Sequence, residues 1–221
     1  MSLRTVFAVS LIAVAWAALS RAQDSKITTN LGAGVSVPLN PTASLAGVNA
    51  NAVVGVGYNI DRHNSIIGQF MWAGLPPNHD AFGPIQAVAG RRDINGHANL
   101  FTLTGNYRYR IQGKVWGAYL IGGGGWYYRY AKLSREVDVG QGIVCGPSWE
   151  FWGYGCVSGT VSQDQTLIST GSSAFGGNVG AGFTIRITDD GYKFYVEARY
   201  HYAPTRNIAT TLIPITLGFA W

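Results

Sequence analysis

Charge is scarce in this chain. Only 12% of its 221 residues are Asp, Glu, Lys or Arg, against about 25% in an ordinary soluble domain. The formal net charge of +5 comes from scattered residues and forms no basic cluster, which argues against a nucleic-acid-binding surface. Sulfur is scarce too, with two Met and two Cys. None of the four His falls between Cys145 and Cys156, so the pair lacks the neighbours a metal site needs. Beyond the N-terminus no apolar run reaches the ~20 residues of a membrane-spanning helix. The run Gly122-Gly123-Gly124-Gly125 has no Lys-Ser/Thr after it and so is no phosphate loop. It reads instead as a tightly bent strand, and no cofactor is implied anywhere.

The N-terminus has its own grammar. Met1-Ser2-Leu3-Arg4 is a short basic start, and Val6 to Leu19 is apolar except for Ser10. That run suits a signal-peptide core and is too short to span as a helix. Ser20-Arg21-Ala22 places small residues where signal peptidase reads, so cleavage is expected before Gln23. Residues 1–22 are thus expected to be a signal peptide and 23–221 one mature domain, with no repeat or linker. Export to an oxidising compartment makes a Cys145–Cys156 disulfide the default, read as a staple within one loop.

Glycine is abundant, at 30 residues, and aromatics reach 13%. Period-two alternation recurs through the mature chain. From 193 to 202, Lys193, Tyr195, Glu197, Arg199 and His201 share one face, and Phe194, Val196, Ala198, Tyr200 and Tyr202 the other. Residues 52–60, 101–110, 171–187 and 213–221 repeat the pattern, with weaker versions at 27–37, 65–74 and 115–133. That makes about eight strands. An apolar, charge-poor exported chain without spanning helices must pair its backbone with itself in a closed barrel, because lipid offers no partner. The expected fold is all-β: a single up-and-down antiparallel transmembrane β-barrel of about eight strands. Its apolar faces would meet lipid and its polar faces would fill the narrow interior.

The connections support this by alternating in length. Residues 61–64, 111–114 and 188–191 are turn-like; 38–49, 76–96, 134–170 and 203–210 are long. Short turns on one side and long loops on the other are the barrel asymmetry. Trp116, Trp126, Tyr128, Tyr130, Tyr58, Tyr107, Tyr109, Tyr200 and Trp221 fit aromatic girdles at the two membrane surfaces.

The stretch Gly180-Ala181-Gly182-Phe183-Thr184-Ile185, the Asp-Asp-Gly turn, Phe194 to Tyr202 (FYVEARYHY) and the ending Pro214 to Trp221 (PITLGFAW) resemble bacterial outer-membrane β-barrel domain proteins. These are the small barrels of the OmpA, OmpX and OmpW type. The specific likeness covers about the last third of the chain. It implies a place in the cell outer membrane of a Gram-negative-type bacterium, among its lipids and lipopolysaccharide. It also implies that Phe219 and the terminal Trp221, standing where Phe is usual, form the signal read by the outer-membrane assembly machinery. No particular activity follows from it.

Candidate functional residues lie on the inner face. Glu197, Arg199 and His201, with Arg108, Arg110, Arg129, Arg186 and Lys193, would form a lumen charge network that satisfies itself and plugs the bore; the alternative is an ion pathway or anion site. His201 invites an enzyme reading, since some outer-membrane lipid A deacylases carry a Ser two residues after such a His. Here that place is Ala203, followed by Pro204, which leaves no nucleophile and makes a non-enzymatic protein the expectation. Pro147, Trp149, Phe151, Trp152 and Tyr154 lie between the cysteines and would pack on each other or form a recognition surface. Arg91-Arg92 reads as solvated. The expected role is structural or surface-interacting, through external loops, in a monomer with no nucleic-acid partner. The alternative is a narrow porin-like channel for small solutes or ions. A soluble ligand-binding barrel would need its apolar faces inside.

Overall fold

A computed structural model describes residues 26–78, 94–148, 153–188 and 191–221. Eight strands form a closed barrel in chain order. They are β1 (Ile27–Pro38), β2 (Asn49–Asn59), β3 (Asn64–Gly74), β4 (Ile94–Gln112), β5 (Trp116–Ser148), β6 (Gly153–Arg186), β7 (Lys193–Ala203) and β8 (Thr210–Ala220). Each is antiparallel to the next, and β8 closes on β1. Trp221 extends that closing seam, exchanging backbone hydrogen bonds with Thr29 at 2.8 and 3.0 Å.

The alternation expected from the sequence sets which side chains point inward. Tyr195, Glu197, Arg199 and His201 are buried along β7, whereas Val196, Tyr200 and Tyr202 face outward. On β4, Thr102, Thr104, Asn106 and Arg108 are buried and Leu103, Tyr107 and Tyr109 exposed. The outer surface is therefore apolar. Aromatics mark two heights on it. Trp116 stacks on Phe183 at 5.8 Å near the short turns, and Trp126 on Tyr128 at 5.5 Å toward the other end. From Trp116 to Trp126 the strand advances about 33 Å at ~3.3 Å per residue. At the ~40° tilt of small barrels this is about 25 Å along the axis, the height of a membrane barrel's apolar band.

The segment 134–170 is not the loop expected from the sequence. β5 and β6 continue through it as a two-stranded ribbon, paired to Ser148 and Gly153. β4 ends its pairing at Ile94 opposite Arg135, so farther out the two strands have only each other. Alternation is no marker there because a ribbon beyond the barrel has no barrel interior for one of its faces to fill. Cys145 and Cys156 stand directly opposite in the register, with Cα atoms 4.0 Å apart. The disulfide is a rung between strands and not a staple within a loop.

The connection 38–49 folds back across the mouth, with a short 3-10 turn at Thr42–Ser44. Thr42 Oγ1 donates to the Ala209 carbonyl at 3.0 Å and accepts from the Thr211 N–H at 2.8 Å. Gly47 N–H donates to the Pro76 carbonyl, and Asn78 N–H to the Leu45 carbonyl, both at 2.8 Å.

Candidate functional site

The interior is filled in two tiers. Toward the short turns it is polar. Arg199 Nε lies 2.6 Å from Glu197 Oε1, and the Tyr119 hydroxyl donates to Glu197 Oε2 at 2.8 Å. The Arg108 guanidinium covers the Tyr119 ring, 5.4 Å from its centre, while Arg108 Nε donates to Ser65 Oγ at 3.2 Å. A carboxylate in so narrow a bore needs these donors, because an uncompensated buried charge is costly.

A chain of amides and hydroxyls crosses the middle. Asn178 Nδ2 donates to Asn106 Oδ1 at 2.8 Å. Asn106 Nδ2 in turn donates to Thr104 Oγ1 at 3.0 Å. On the far wall Thr216 Oγ1 donates to Asn51 Oδ1 at 3.1 Å, and Asn51 Nδ2 to Ser36 Oγ at 3.2 Å. His201 Nδ1 shares a hydrogen bond with the Tyr127 hydroxyl at 2.9 Å.

Toward the long connections the bore turns apolar, which the reading of a wholly polar interior missed. Ala46, Val53, Met71, Leu75, Leu100, Tyr127 and Leu212 form one buried cluster across it. Bordered by Met71, Glu197, Arg199 and His201 is a remaining gap of about 10 Å³, room for roughly one water.

The structure divides the sequence-derived charge set by height. Arg108, Glu197, Arg199 and His201 share the filled bore. Arg110 sits nearer the short turns, its Nη2 donating to Asn59 Oδ1 at 2.8 Å. Arg186 is exposed and Lys193 half-buried at that same end, where both border a small crevice. Arg129 stands at the opposite mouth, with long hydrogen bonds of 3.4 Å to Thr210 Oγ1 and to the Arg206 carbonyl. Tyr119, Tyr127, Tyr195, Asn106 and Asn178 carry much of the interior bonding and were not singled out from the sequence. For Tyr119 the available clue is its inward parity with Gly117, Gly123 and Gly125; for Tyr127 the aromatic run 126–128 hides it.

Ala203 is fully buried and carries no hydroxyl; the hydroxyl bonded to His201 is that of Tyr127. Among the described residues no group of three or more His, Cys, Asp or Glu could hold a metal. Phe219 faces outward, packing edge-on against Phe194 at 5.8 Å. Arg91, Arg92, Trp149, Phe151, Trp152 and the expected signal peptide 1–22 lie outside the described residues, as do the side chains of Pro147 and Tyr154.

A closed eight-stranded antiparallel barrel with a side-chain-filled bore and an apolar exterior has the architecture of bacterial outer-membrane barrels. Solved structures share it. Neisserial surface protein A aligns at TM-score 0.54 with 11% identity, over 89% of this chain and 96% of that one. A major outer membrane protein from Thermus thermophilus aligns at 0.53 with 9% identity, over 89% and 99%. The attachment invasion locus protein of Yersinia pestis covers 88% of this chain and 96% of its own at 13% identity, but at TM-score 0.45 the likeness is too loose to carry an argument. These identities speak for fold alone. No protein-family model matches the sequence, and no curated protein matches it either.

Proposed function

We propose that this chain is a monomeric outer-membrane barrel with a closed bore that acts through the end carrying the long connections and the β5–β6 ribbon. The observation that carries this reading is the division of the strands. Leu103, Tyr107, Val179, Tyr200 and Leu217 face outward while the charges of β4 and β7 face inward. In water that arrangement would expose a continuous apolar surface, and in lipid it is the low-energy one. Residues 1–22 act as the export signal in this reading. Phe219 and Trp221 present the assembly signal, and the partners are outer-membrane lipids and lipopolysaccharide. With both termini periplasmic, the short turns lie in the periplasm and the long connections outside.

The bore is proposed as a strut and not a conduit. Glu197, Arg199, Tyr119 and Arg108 satisfy one another, and the apolar cluster around Leu100 and Leu212 seals the other half. The chain is proposed to be non-enzymatic, since His201 is bonded to the buried Tyr127 hydroxyl and Ala203 stands where an acyl-transfer serine would. Single-channel recording of the refolded protein in a planar bilayer, with a gel-shift control for the folded barrel, tests the closed bore. A folded, silent barrel is expected. Steady conductance steps would overturn it in favour of a narrow channel.

A further inference from the structure

A second cavity, of about 340 Å³, opens at the mouth beside the long connections. This is within the ~300–1,000 Å³ range of small-molecule pockets. Leu45, Leu75, Pro77, Ala131, Leu133 and Ile168 line it. The register places Ala131 opposite Thr170 and Leu133 opposite Ile168, and β4 still pairs with β5 at both positions, so the wall is the stretch of β4, β5 and β6 at the barrel rim, below the two-stranded ribbon. The opposite wall is the inward-folded connection 38–49, held to Pro76 and Asn78 by the backbone bonds described above. Leu75 and Ala46 also belong to the buried apolar cluster in the bore, which forms the floor.

Two cations, Arg129 and Lys132, border this apolar cup. Arg129 is half-buried, and its only hydrogen bonds within the described residues are the two 3.4 Å contacts to neutral oxygens. Arg199–Glu197 is the single ion pair among the described residues, so Arg129 has no carboxylate partner there. A guanidinium partly withdrawn from water beside an apolar cavity is complementary to an anion carrying an apolar body. Lys132 adds charge of the same sign.

We propose that the cup binds a single-chain amphipathic anion, with its alkyl chain against Leu75, Leu133 and Ile168 and its head group on Arg129. This goes beyond the closed-bore reading and is separable from it: a conducting barrel could still bind the ligand, and a silent one could fail to.

The test uses full-length refolded protein in lipid nanodiscs, with protein-free nanodiscs measuring simple partition. The probes are radiolabelled dodecanoate, dodecyl phosphate and dodecanol. One saturable site per barrel is expected for the two anions, at least tenfold tighter than for dodecanol. A131W, which fills the cup, should abolish the site; I168W serves if A131W fails the gel-shift test for folding. R129Q should weaken anion binding about tenfold and leave dodecanol unchanged, the size expected for losing a charged hydrogen bond. Preference for dodecyl phosphate would support a lysophospholipid or other single-chain phosphate source, and preference for dodecanoate a free fatty acid. Partition alone, saturable binding that survives a folded cup-filling variant, or equal binding of dodecanol would overturn the proposal.

Discussion

The Tyr119 ring on β5 occupies the space that Gly182 on β6 leaves empty: a Cβ built on Gly182 would overlap the ring and its hydroxyl. The two residues are cross-strand partners in the β5–β6 register. The glycine lets an aromatic side chain lie across the narrow bore and carry its hydroxyl to Glu197. Gly32 and Gly218 stand in the same relation to Tyr195. Glycine on the inner face is thus a volume device that admits a few large polar side chains to an interior this small.

Gly182→Ala should therefore destabilise the barrel by about 1–3 kcal/mol, the usual range for overpacking. Gly105→Ala is the control, because a Cβ there meets nothing within 4 Å. Heat-modifiable gel migration measures both. A lowered transition for Gly182→Ala with Gly105→Ala near the parent is expected, and equal effects would contradict the volume argument.

The buried Glu197–Arg199 pair makes a double-mutant test. Glu197→Gln leaves the Arg199 guanidinium in the bore without its counter-charge, and loss of about 3–5 kcal/mol is the range for breaking such a pair. Glu197→Gln combined with Arg199→Gln removes both charges and should recover part of that loss. Denaturant unfolding of the folded barrel, read by gel shift or circular dichroism, gives the cycle. Additive losses would mean that the two charges do not compensate each other.

How much of this was legible in the sequence follows from what alternation can report. Parity assigns a face: Glu197, Arg199 and His201 fall on one and are buried, Phe219 and Tyr200 on the other and are exposed. Parity does not assign a height, because that depends on register and stagger between strands. Arg129, Arg186 and Arg108 therefore looked like one network and stand at separate levels. The apolar cluster was hidden for a related reason. Met71, Leu100 and Leu212 come from distant strands, and each looks ordinary in its own segment. The ribbon escaped because alternation marks the division between barrel interior and lipid, and a ribbon beyond the barrel has no such division to report.

Asp61 gives a prediction outside the membrane. In the turn between β2 and β3 its carboxylate accepts from Asn64 Nδ2 at 2.7 Å and from the N–H groups of His63 and Asn64 at 2.7 and 2.8 Å. The Asn64 side chain leads in holding its pKa below the ordinary 3.8, and the two backbone donors add to it. A depressed folded-state value means that the turn gains stability above the unfolded-state pKa and loses it as pH falls through the folded one. The carboxyl-carbon NMR titration of Asp61 should show a midpoint below 3.8, and Asn64→Ala should raise it. A midpoint at or above the ordinary value would contradict the turn geometry.

The disulfide should matter locally. Cys145–Cys156 lies far out on the ribbon, beyond the last β4 pairing at Ile94, and both cysteines are exposed. An isolated two-stranded ribbon is at best marginally stable in water. The cross-link closes the short segment between the cysteines and limits its freedom when the ribbon opens. The barrel has its own closed hydrogen-bond ladder, with no bond passing through this rung. Mild reduction, or Cys145→Ser with Cys156→Ser, should thus speed proteolysis within 134–170 severalfold and leave the gel-shift transition of the barrel unchanged. Limited proteolysis with fragment mass analysis, run beside the gel-shift melt, reads both at once. Loss of the barrel's β signature on mild reduction would mean that ribbon and barrel fold as one unit, and unchanged proteolysis would mean that backbone pairing alone holds the ribbon.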